Sequence, residues 1–175
     1  MLENWVFEAD VLRKLSSHWE NQEPLPETLC QQLGRSRQVN VGITFARQMA
    51  MSGMDRALHS ETPATDLELL GNEKLMQIMK IKPADGATTL SHFGHMCGGY
   101  DSRYYSYAYS EVFAFDLFEQ FAQKQGGVFD SELGAKYRDV VLAPMGSRSG
   151  GDLLRGFLGR AARSDAFFRL KLGIE

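Results

Sequence analysis

The sequence has few of the features that mark secreted, membrane-spanning or nucleic-acid-binding proteins. Its two cysteines, Cys30 and Cys97, form no CxxC pair, which favours free thiols in a reducing compartment. No stretch approaches the ~20 apolar residues that a membrane-spanning helix needs, and no basic segment precedes an apolar run at the start. The net charge of −3 gives no general attraction to nucleic acid or anionic lipid. We therefore expect a cytoplasmic protein without a signal peptide and without a nucleic-acid or membrane partner.

The sequence also lacks a helical zinc motif. None of its four histidines, His18, His59, His92 and His95, begins an HExxH sequence, in which two histidines four residues apart share a metal ion. His92, His95 and Cys97 are close enough along the chain to chelate an ion. Their segment is predicted to be a loop without a fourth ligand nearby, however. We therefore predict no metal site in this chain.

Charge is uneven near the end of the chain. Residues 136–171 carry eight Lys or Arg side chains and three Asp side chains. Solvated helix faces are the ordinary explanation for such an excess. A nucleic-acid patch is the alternative, and it is disfavoured because no binding motif frames these residues.

The composition is that of a globular protein, with 43% hydrophobic and 23% charged residues among 175. Apolar residues recur at helical spacing, and no segment alternates as a strand would. We predict an all-α fold that forms one helical unit over residues 1–175. The predicted helices cover residues 2–19, 26–33, 35–59, a segment that Thr65 or Asp66 caps and that ends at 82, 102–124, a segment that Asp130 or Ser131 caps and that ends at 142, 151–158 and 164–172.

Two features suggest that this chain belongs to a larger fold. Leu2 and Trp5 already follow a helical pattern, although no capping residue precedes them. The helix after Tyr104 is apolar in nearly every direction, and such a helix is buried all round. The seven other predicted helices, several of them short, can hardly surround it. We therefore expect the chain to begin inside a larger fold, to expose apolar surface around Phe113 to Phe121, and to self-associate through that surface.

The most informative segment is His95–Glu111, which reads HMCGGYDSRYYSYAYSE. It places a histidine, two adjacent glycines and five tyrosines at the entry of a predicted helix. Phenol and imidazole groups donate hydrogen bonds near neutral pH without carrying a full charge, and glycines let the backbone bend towards a ligand. A loop that closes over an extended polar ligand, such as a peptide, is one interpretation. A tyrosine-rich core helix is the other.

At these residues the sequence resembles the thimet oligopeptidase and neurolysin family of zinc metallopeptidases. The likeness rests on Phe93-Gly94-His95, Gly98-Gly99-Tyr100-Asp101, Tyr104-Tyr105-Ser106-Tyr107 and Ser110-Glu111-Val112, and it continues in Met1-Leu2-Glu3-Asn4-Trp5, Ser36-Arg37-Gln38, Phe157-Leu158-Gly159-Arg160 and Asp165-Ala166-Phe167. It covers essentially the whole chain. The resemblance implies the helical C-terminal portion of a zincin-type oligopeptidase catalytic domain.

The resemblance also implies catalytic roles for three residues. His95 and Tyr104 would hydrogen-bond the peptide or the tetrahedral oxyanion, and Tyr107 would stabilise the transition state. A donor placed where negative charge develops lowers a barrier by about 3 kcal/mol.

Four more residues are predicted to bind substrate. By resemblance, Tyr100 would contact the peptide backbone, and the glycines Gly98 and Gly99 would let the loop close. Glu111 falls on the same helical face as two of the tyrosines, so we expect it in the wall of a polar cleft.

The same resemblance implies that zinc is bound only in the full-length enzyme, because the family's third ligand would lie just before Met1. Our first hypothesis is therefore the C-terminal, substrate-binding part of a zinc metalloendopeptidase that hydrolyses short peptides. Its partners would be those peptides and the missing N-terminal part, and the isolated chain would be inactive. The alternative is a stand-alone, non-catalytic helical protein that derives from such a peptidase and binds peptides or proteins.

Overall fold

A computed structural model describes residues 1–60 and 66–174 of the chain. Over these ranges the regular elements are all helical and no strand occurs, which confirms the all-α prediction. The α-helices are α1 (Ala9–Leu15), α2 (Glu27–Ser36), α3 (Val41–Leu58), α4 (Leu67–Met79), α5 (Ser106–Ala122), α6 (Ser131–Tyr137) and α7 (Gly150–Leu158). Shorter 3₁₀ turns cover Leu2–Phe7, Leu90–His92, Gly94–Cys97, Gly127–Phe129 and Met145–Ser147, and π-helical turns cover Arg138–Leu142 and Phe167–Leu172. No helix in the described part of the chain is both long and apolar enough to cross a bilayer.

Two of the helix starts follow the predicted capping chemistry. Asp66 accepts a hydrogen bond from the backbone N–H three residues further on at 2.9 Å, and Asp130 does the same at 2.8 Å. These bonds satisfy N–H groups that have no partner inside the first turn of a helix. The alternative cap Thr65 and the helix break predicted at Thr62-Pro63 lie outside the described residues.

The long helices are more interrupted than the sequence predicts. The predicted helix 2–19 is a 3₁₀ turn and then α1, separated by Glu8, whose extended backbone ends the first turn. The predicted helix 35–59 is divided at Asn40, which adopts a left-handed conformation with φ 57°. Asparagine tolerates that conformation better than most residues, so it can separate α2 from α3. The predicted helix 102–124 starts only at Ser106, because Ser102 is also left-handed, with φ 61°.

The chain packs as two compact units. The first unit comprises Met1–Val39 and Glu111–Glu175, and the second comprises Asn40–Ser110. Helix α5 starts in the second unit and continues into the first. The expectation that residues 1–175 form one helical unit stays a prediction.

The core of the first unit forms around the C-terminal half of α5. The ring of Trp5 meets those of Phe118 and Phe121 edge-on, with centroid distances of 4.8 Å to each. Its indole N–H donates to the Val128 carbonyl at 2.9 Å, so the polar atom of this large side chain is satisfied. Phe157 on α7 stacks on Phe121, with ring centroids 6.0 Å apart. Burial of these aromatic rings is the main favourable contribution to the stability of this unit.

The prediction that apolar surface around Phe113 to Phe121 is exposed is wrong. Phe115, Phe118 and Phe121 are only 2%, 1% and 3% exposed, because the N-terminal turn and the C-terminal elements of the first unit cover them. Two of the covering residues, Trp5 and Phe167, lie far from α5 in sequence, so helical periodicity did not indicate them. Self-association stays a prediction, but it would have to use other surfaces.

Carboxylates of α5 also form ion pairs with basic residues near the end of the chain. The pairs are Asp116 with Arg160, Glu119 with Arg169, and Glu111 with Lys171. Burial raises the pKa of Asp116, but hydrogen bonds from the Arg160 side chain and the Arg163 backbone N–H outweigh it and lower that pKa below its ordinary value. These pairs account for part of the positive excess over residues 136–171.

Candidate functional site

Four of the predicted site residues lie together in the second unit. We call His95, Tyr100, Tyr104 and Tyr107 the tyrosine–histidine cluster. The His95 ring is centred 5.7 Å from that of Tyr100, 5.0 Å from that of Tyr104 and 5.9 Å from that of Tyr107, and it meets each of them edge-on. Tyr104 and Tyr107 are 5.1 Å apart. Edge-to-face contacts of this kind are favourable and fix the relative orientation of the rings.

Tyr100 and Tyr107 present the solvent-accessible side of this cluster. Their rings are stacked, with centroids 5.2 Å apart and planes 11° from parallel, and each residue is 40% exposed. A hydrogen bond with the Tyr100 side chain is the main cause that raises the pKa of Tyr107 above its ordinary value. The Tyr107 hydroxyl therefore remains a neutral hydrogen-bond donor throughout the physiological pH range.

Tyr104 forms the buried side of the cluster. The residue is 6% exposed, and its ring meets Phe93 edge-on at 4.8 Å. The hydroxyl of Tyr104 donates to Oε1 of Gln48 on α3 at 3.4 Å, which is long for such a bond. His95, in contrast, is exposed. Tyr104 therefore has a packing role, and its role at a ligand stays a prediction. Phe93, whose ring is buried (3% exposed), supports it.

The two loop glycines differ in what their positions require. Gly99 has φ +84°, a conformation that residues with a side chain rarely adopt, so glycine is needed there. Gly98 has an ordinary φ of −117°, and a Cβ at that position would make only normal contact with the Gly94 carbonyl at 3.5 Å. The bend next to Tyr100 therefore depends on Gly99.

One buried carboxylate that the sequence analysis did not single out supports this loop. Asp55 on α3 is 2% exposed, and its two carboxylate oxygens accept the backbone N–H groups of Ser102 at 2.7 Å and Tyr104 at 2.8 Å. Nδ1 of His59, the residue that follows α3, lies 3.0 Å from the same carboxylate. The available signal was an acidic residue among the buried methionines of α3, since a buried charge needs partners from elsewhere in the fold.

The profile of Peptidase family M3 matches residues 1–171. The chain belongs to this family. The resemblance to oligopeptidases noted above is thereby confirmed.

Characterised relatives agree with the assignment to family M3. The chain is 35% identical to the thimet-like oligopeptidase of Dictyostelium discoideum over 97% of its length. It is 32% identical to oligopeptidase A of Escherichia coli over 94% of its length, and 32% identical to saccharolysin of Saccharomyces cerevisiae over 100% of its length. It spans about a quarter of each of these relatives, 25% in every case.

The described part of this M3 chain offers no ligand set for zinc. A protein zinc site uses three or four nitrogen, sulfur or oxygen ligands from His, Cys, Asp or Glu. Over residues 1–60 and 66–174, no three such side chains lie close enough together to hold a metal ion. His95 and Cys97 both belong to the 3₁₀ turn Gly94–Cys97, and Cys97 is an exposed free thiol. The described residues therefore do not fit the zinc ion that the resemblance implies for the full-length enzyme.

Glu111 has partners other than the tyrosine–histidine cluster. It lies on α5 at the start of the first unit's part of that helix, and its carboxylate is 2.6 Å from Nζ of Lys171. The helical wheel correctly placed it on α5, but its ion pair could not be foreseen, because Lys171 is sixty residues away along the chain. Its predicted role in substrate binding stays a prediction.

A cleft of about 610 Å³ adjoins the Asp55 carboxylate in the second unit. It is lined by residues of α3, including Arg56, by His59 after the helix, and by Ser102 and Tyr105. None of the four cluster residues lines it. The cleft therefore adjoins Asp55 and Ser102, which support the loop, and the tyrosine–histidine cluster does not face it.

Proposed function

We propose that this chain is the C-terminal, substrate-binding part of a zinc metalloendopeptidase that hydrolyses short peptides. The observation that carries the proposal is the tyrosine–histidine cluster, with the exposed side chains of Tyr100, Tyr107 and His95 in a chain of family M3. The relatives are named as oligopeptidases, and the chain matches a quarter of their length. The remaining part of such an enzyme would supply the metal ligands.

In this proposal the exposed donors of the cluster bind the peptide backbone. Tyr100 hydrogen-bonds a backbone group of the peptide, and its contact with Tyr107 keeps the second phenol neutral. Tyr107, His95 and Tyr104 then donate to the carbonyl oxygen of the bond to be cleaved, where negative charge develops. Each such donor is worth about 3 kcal/mol when it is fixed in place before the reaction. The stacked and edge-on ring contacts supply that fixation.

A titration of the purified chain with a short unstructured peptide, followed through the tyrosine ring resonances by NMR, tests this proposal. Because the chain would provide only one wall of the site, we expect a dissociation constant on the order of 1 mM. Tyr107→Phe removes one neutral donor, worth about 1 kcal/mol, and should weaken binding about fivefold. His95→Ala should weaken it by a similar factor.

Tyr105→Phe is the matched control for this titration. Tyr105 is 57% exposed and its ring contacts Tyr109 at 6.3 Å, outside the cluster. Its loss of a hydroxyl should leave the affinity unchanged. Equal effects of Tyr105→Phe and Tyr107→Phe, or no effect of Tyr107→Phe, would contradict the roles assigned to the cluster.

The chain by itself should not hydrolyse a quenched fluorescent peptide, with or without added zinc. The reason is that the described residues bring no set of metal ligands together. Sustained turnover that a chelator abolishes would refute this part of the proposal, because it would require a metal site within the chain.

The second candidate is a stand-alone, non-catalytic peptide- or protein-binding protein derived from such a peptidase. The lack of a ligand set among the described residues is compatible with it. The size of the protein in its source cell discriminates between the two. A product several times longer than 175 residues supports the peptidase part, and a product of this length supports the stand-alone protein.

We also propose a cytoplasmic location. Both cysteines are free, Cys30 buried and Cys97 exposed, as is common in a reducing compartment. Fractionation of the source cell tests this, and recovery of the protein in an oxidising compartment would contradict it.

A further inference from the structure

We propose that Asp55 is a positioning residue for the tyrosine–histidine cluster, which it holds by fixing the backbone of the loop between Tyr100 and Tyr104. This inference rests on the proposed peptide-binding function of the cluster. It assigns a specific task to a carboxylate on α3 that is distant from the cluster in sequence.

The contacts of Asp55 are directed at the backbone of the loop. The carboxylate is 2% exposed and accepts the N–H groups of Ser102 and Tyr104 at 2.7 and 2.8 Å. Hydrogen bonds to a charged acceptor are about twice as strong as those between neutral groups. The third partner is Nδ1 of His59, at 3.0 Å. A carboxylate this deeply buried would be costly without such partners, so the loop and the carboxylate stabilise each other.

The bonded segment contains a conformation that needs support. Ser102 has φ +61°, in the left-handed region that is unfavourable for residues with a Cβ atom. Its N–H is one of the two groups that Asp55 binds. The Arg103 N–H donates to the Tyr100 carbonyl at 2.9 Å, so the same turn also holds the backbone of Tyr100, whose side chain is exposed. Asp55 therefore stabilises the strained turn at its strained residue.

The second bond, from the Tyr104 N–H to Asp55, holds the turn that leads into α5. Tyr104, held by its N–H, accepts the Tyr107 N–H at 3.3 Å in the turn that leads into the helix. Its ring is seated against Phe93 and His95. A shift of the Tyr104 backbone would therefore move both its own ring and the ring of Tyr107 away from Tyr100. As a positioning residue, Asp55 touches no peptide and acts only through the loop.

Asp55→Asn is the direct test, because it keeps the size of the side chain and replaces one acceptor oxygen by a donor. We expect the amide hydrogen exchange of Ser102 and Tyr104 to accelerate about tenfold relative to the amides of α3. Peptide affinity in the NMR titration should fall by a similar, roughly tenfold factor. Asp116→Asn is the matched control, since Asp116 is 1% exposed and also accepts a backbone N–H, from Arg163 at 2.7 Å. It should change neither of these readouts.

A rescue experiment separates positioning from general destabilisation. Glycine adopts positive φ without a Cβ penalty, so Ser102→Gly added to Asp55→Asn should recover part of the lost affinity and of the lost protection. If Asp55→Asn lowered affinity only by destabilising the whole unit, Ser102→Gly would not restore it. If Asp55→Asn does not fold, His59→Ala replaces it. His59 is partly exposed (35%), and its removal should accelerate exchange at the same two amides by a smaller factor.

Each outcome decides the proposal. Selective exchange at Ser102 and Tyr104 with lower affinity supports it. Unchanged exchange at these amides, equal effects of Asp116→Asn, or no recovery on adding Ser102→Gly overturns it. If the unsubstituted chain binds no peptide, the proposed function fails, and the exchange pattern alone then shows whether Asp55 holds the loop.

Discussion

Tyr104→Phe removes one hydroxyl from the tyrosine–histidine cluster and leaves the ring in place. Tyr104 is 6% exposed, and its ring contacts Phe93 at 4.8 Å and His95 at 5.0 Å. Its hydroxyl donates to Gln48 at 3.4 Å, at the long end of the accepted range. The change therefore isolates the hydroxyl, whose predicted partner in the complex is a peptide carbonyl.

The two possible roles of this hydroxyl predict different magnitudes. As a structural bond between neutral groups it is worth at most about 1 kcal/mol of unfolding free energy, which lowers Tm by about 3 °C in a chain of this size. Gln48 is only half-buried, so water can replace the lost partner and reduce that cost. If the hydroxyl turns to the peptide, its loss weakens binding about fivefold.

Gln48→Ala separates these roles. This change removes the same hydrogen bond from the acceptor side and leaves the Tyr104 hydroxyl available. We expect Gln48→Ala to leave peptide affinity within about twofold of the original value, whereas Tyr104→Phe reduces it about fivefold. NMR titration gives the affinities, and thermal unfolding gives the stabilities. Equal losses of affinity in both variants would refute a role of the hydroxyl at the peptide.

Three further predictions concern charge and backbone conformation. Tyr100→Phe should lower the pKa of Tyr107 towards its ordinary value of 10.0, since the hydrogen bond that the Tyr107 hydroxyl donates to Tyr100 is the main cause of its elevation; ring-carbon NMR during an alkaline titration measures this, and an unchanged pKa would contradict it. Burial raises the pKa of Asp116, but its bonds to an arginine side chain and a backbone N–H lower it overall, so its stabilisation is present above the ordinary carboxyl pKa of about 3.9 and is lost as the pH falls through the lowered value. Asp116→Asn should therefore cost about 3 kcal/mol at pH 7 and flatten the acid side of the stability curve, as urea unfolding at several pH values would show; a parallel shift at every pH would contradict this. Gly159→Ala should destabilise the chain by about 1 kcal/mol because Gly159 has φ +69°, whereas Gly134→Ala within α6, where a Cβ meets nothing within 4 Å, should stabilise it by about 0.5 kcal/mol; the opposite order in thermal unfolding would show that the backbone assignment is wrong.

Much of the fold was predictable because its signals are local. Asp66 and Asp130 cap helices through bonds to a residue three positions away, and the sequence spacing alone defines such bonds. The π-helical turn that ends at Leu172 is followed by Gly173, with φ +69°, as expected of a C-terminal glycine. The contacts among His95, Tyr100, Tyr104 and Tyr107 are likewise local, so the sequence could indicate this segment as a candidate site.

The remainder depended on contacts between distant segments. Asn40 interrupts a pattern that favours one long helix, and the apolar spacing gave no sign of its left-handed backbone, although asparagine tolerates that conformation. The cover over Phe118 comes from Trp5, more than a hundred residues earlier, so the helical wheel alone could not reveal it. Asp55 was missed for the same reason, since its partners Ser102 and Tyr104 lie 47 and 49 residues away.

The contacts that shape the proposed peptide site are independent of any metal ligand. The hydroxyl of Tyr104 is supported by Gln48, its ring by Phe93 and its backbone by Asp55, all within the second unit. These supports are hydrogen bonds and ring contacts between protein groups alone. In the proposed function, recognition of a peptide and assembly of a metal centre are therefore separable. It follows that peptide affinity, measured without metal, is the property that substitutions in the cluster should change first, and that loss of hydrolysis in a longer peptidase would not by itself identify which of the two had failed.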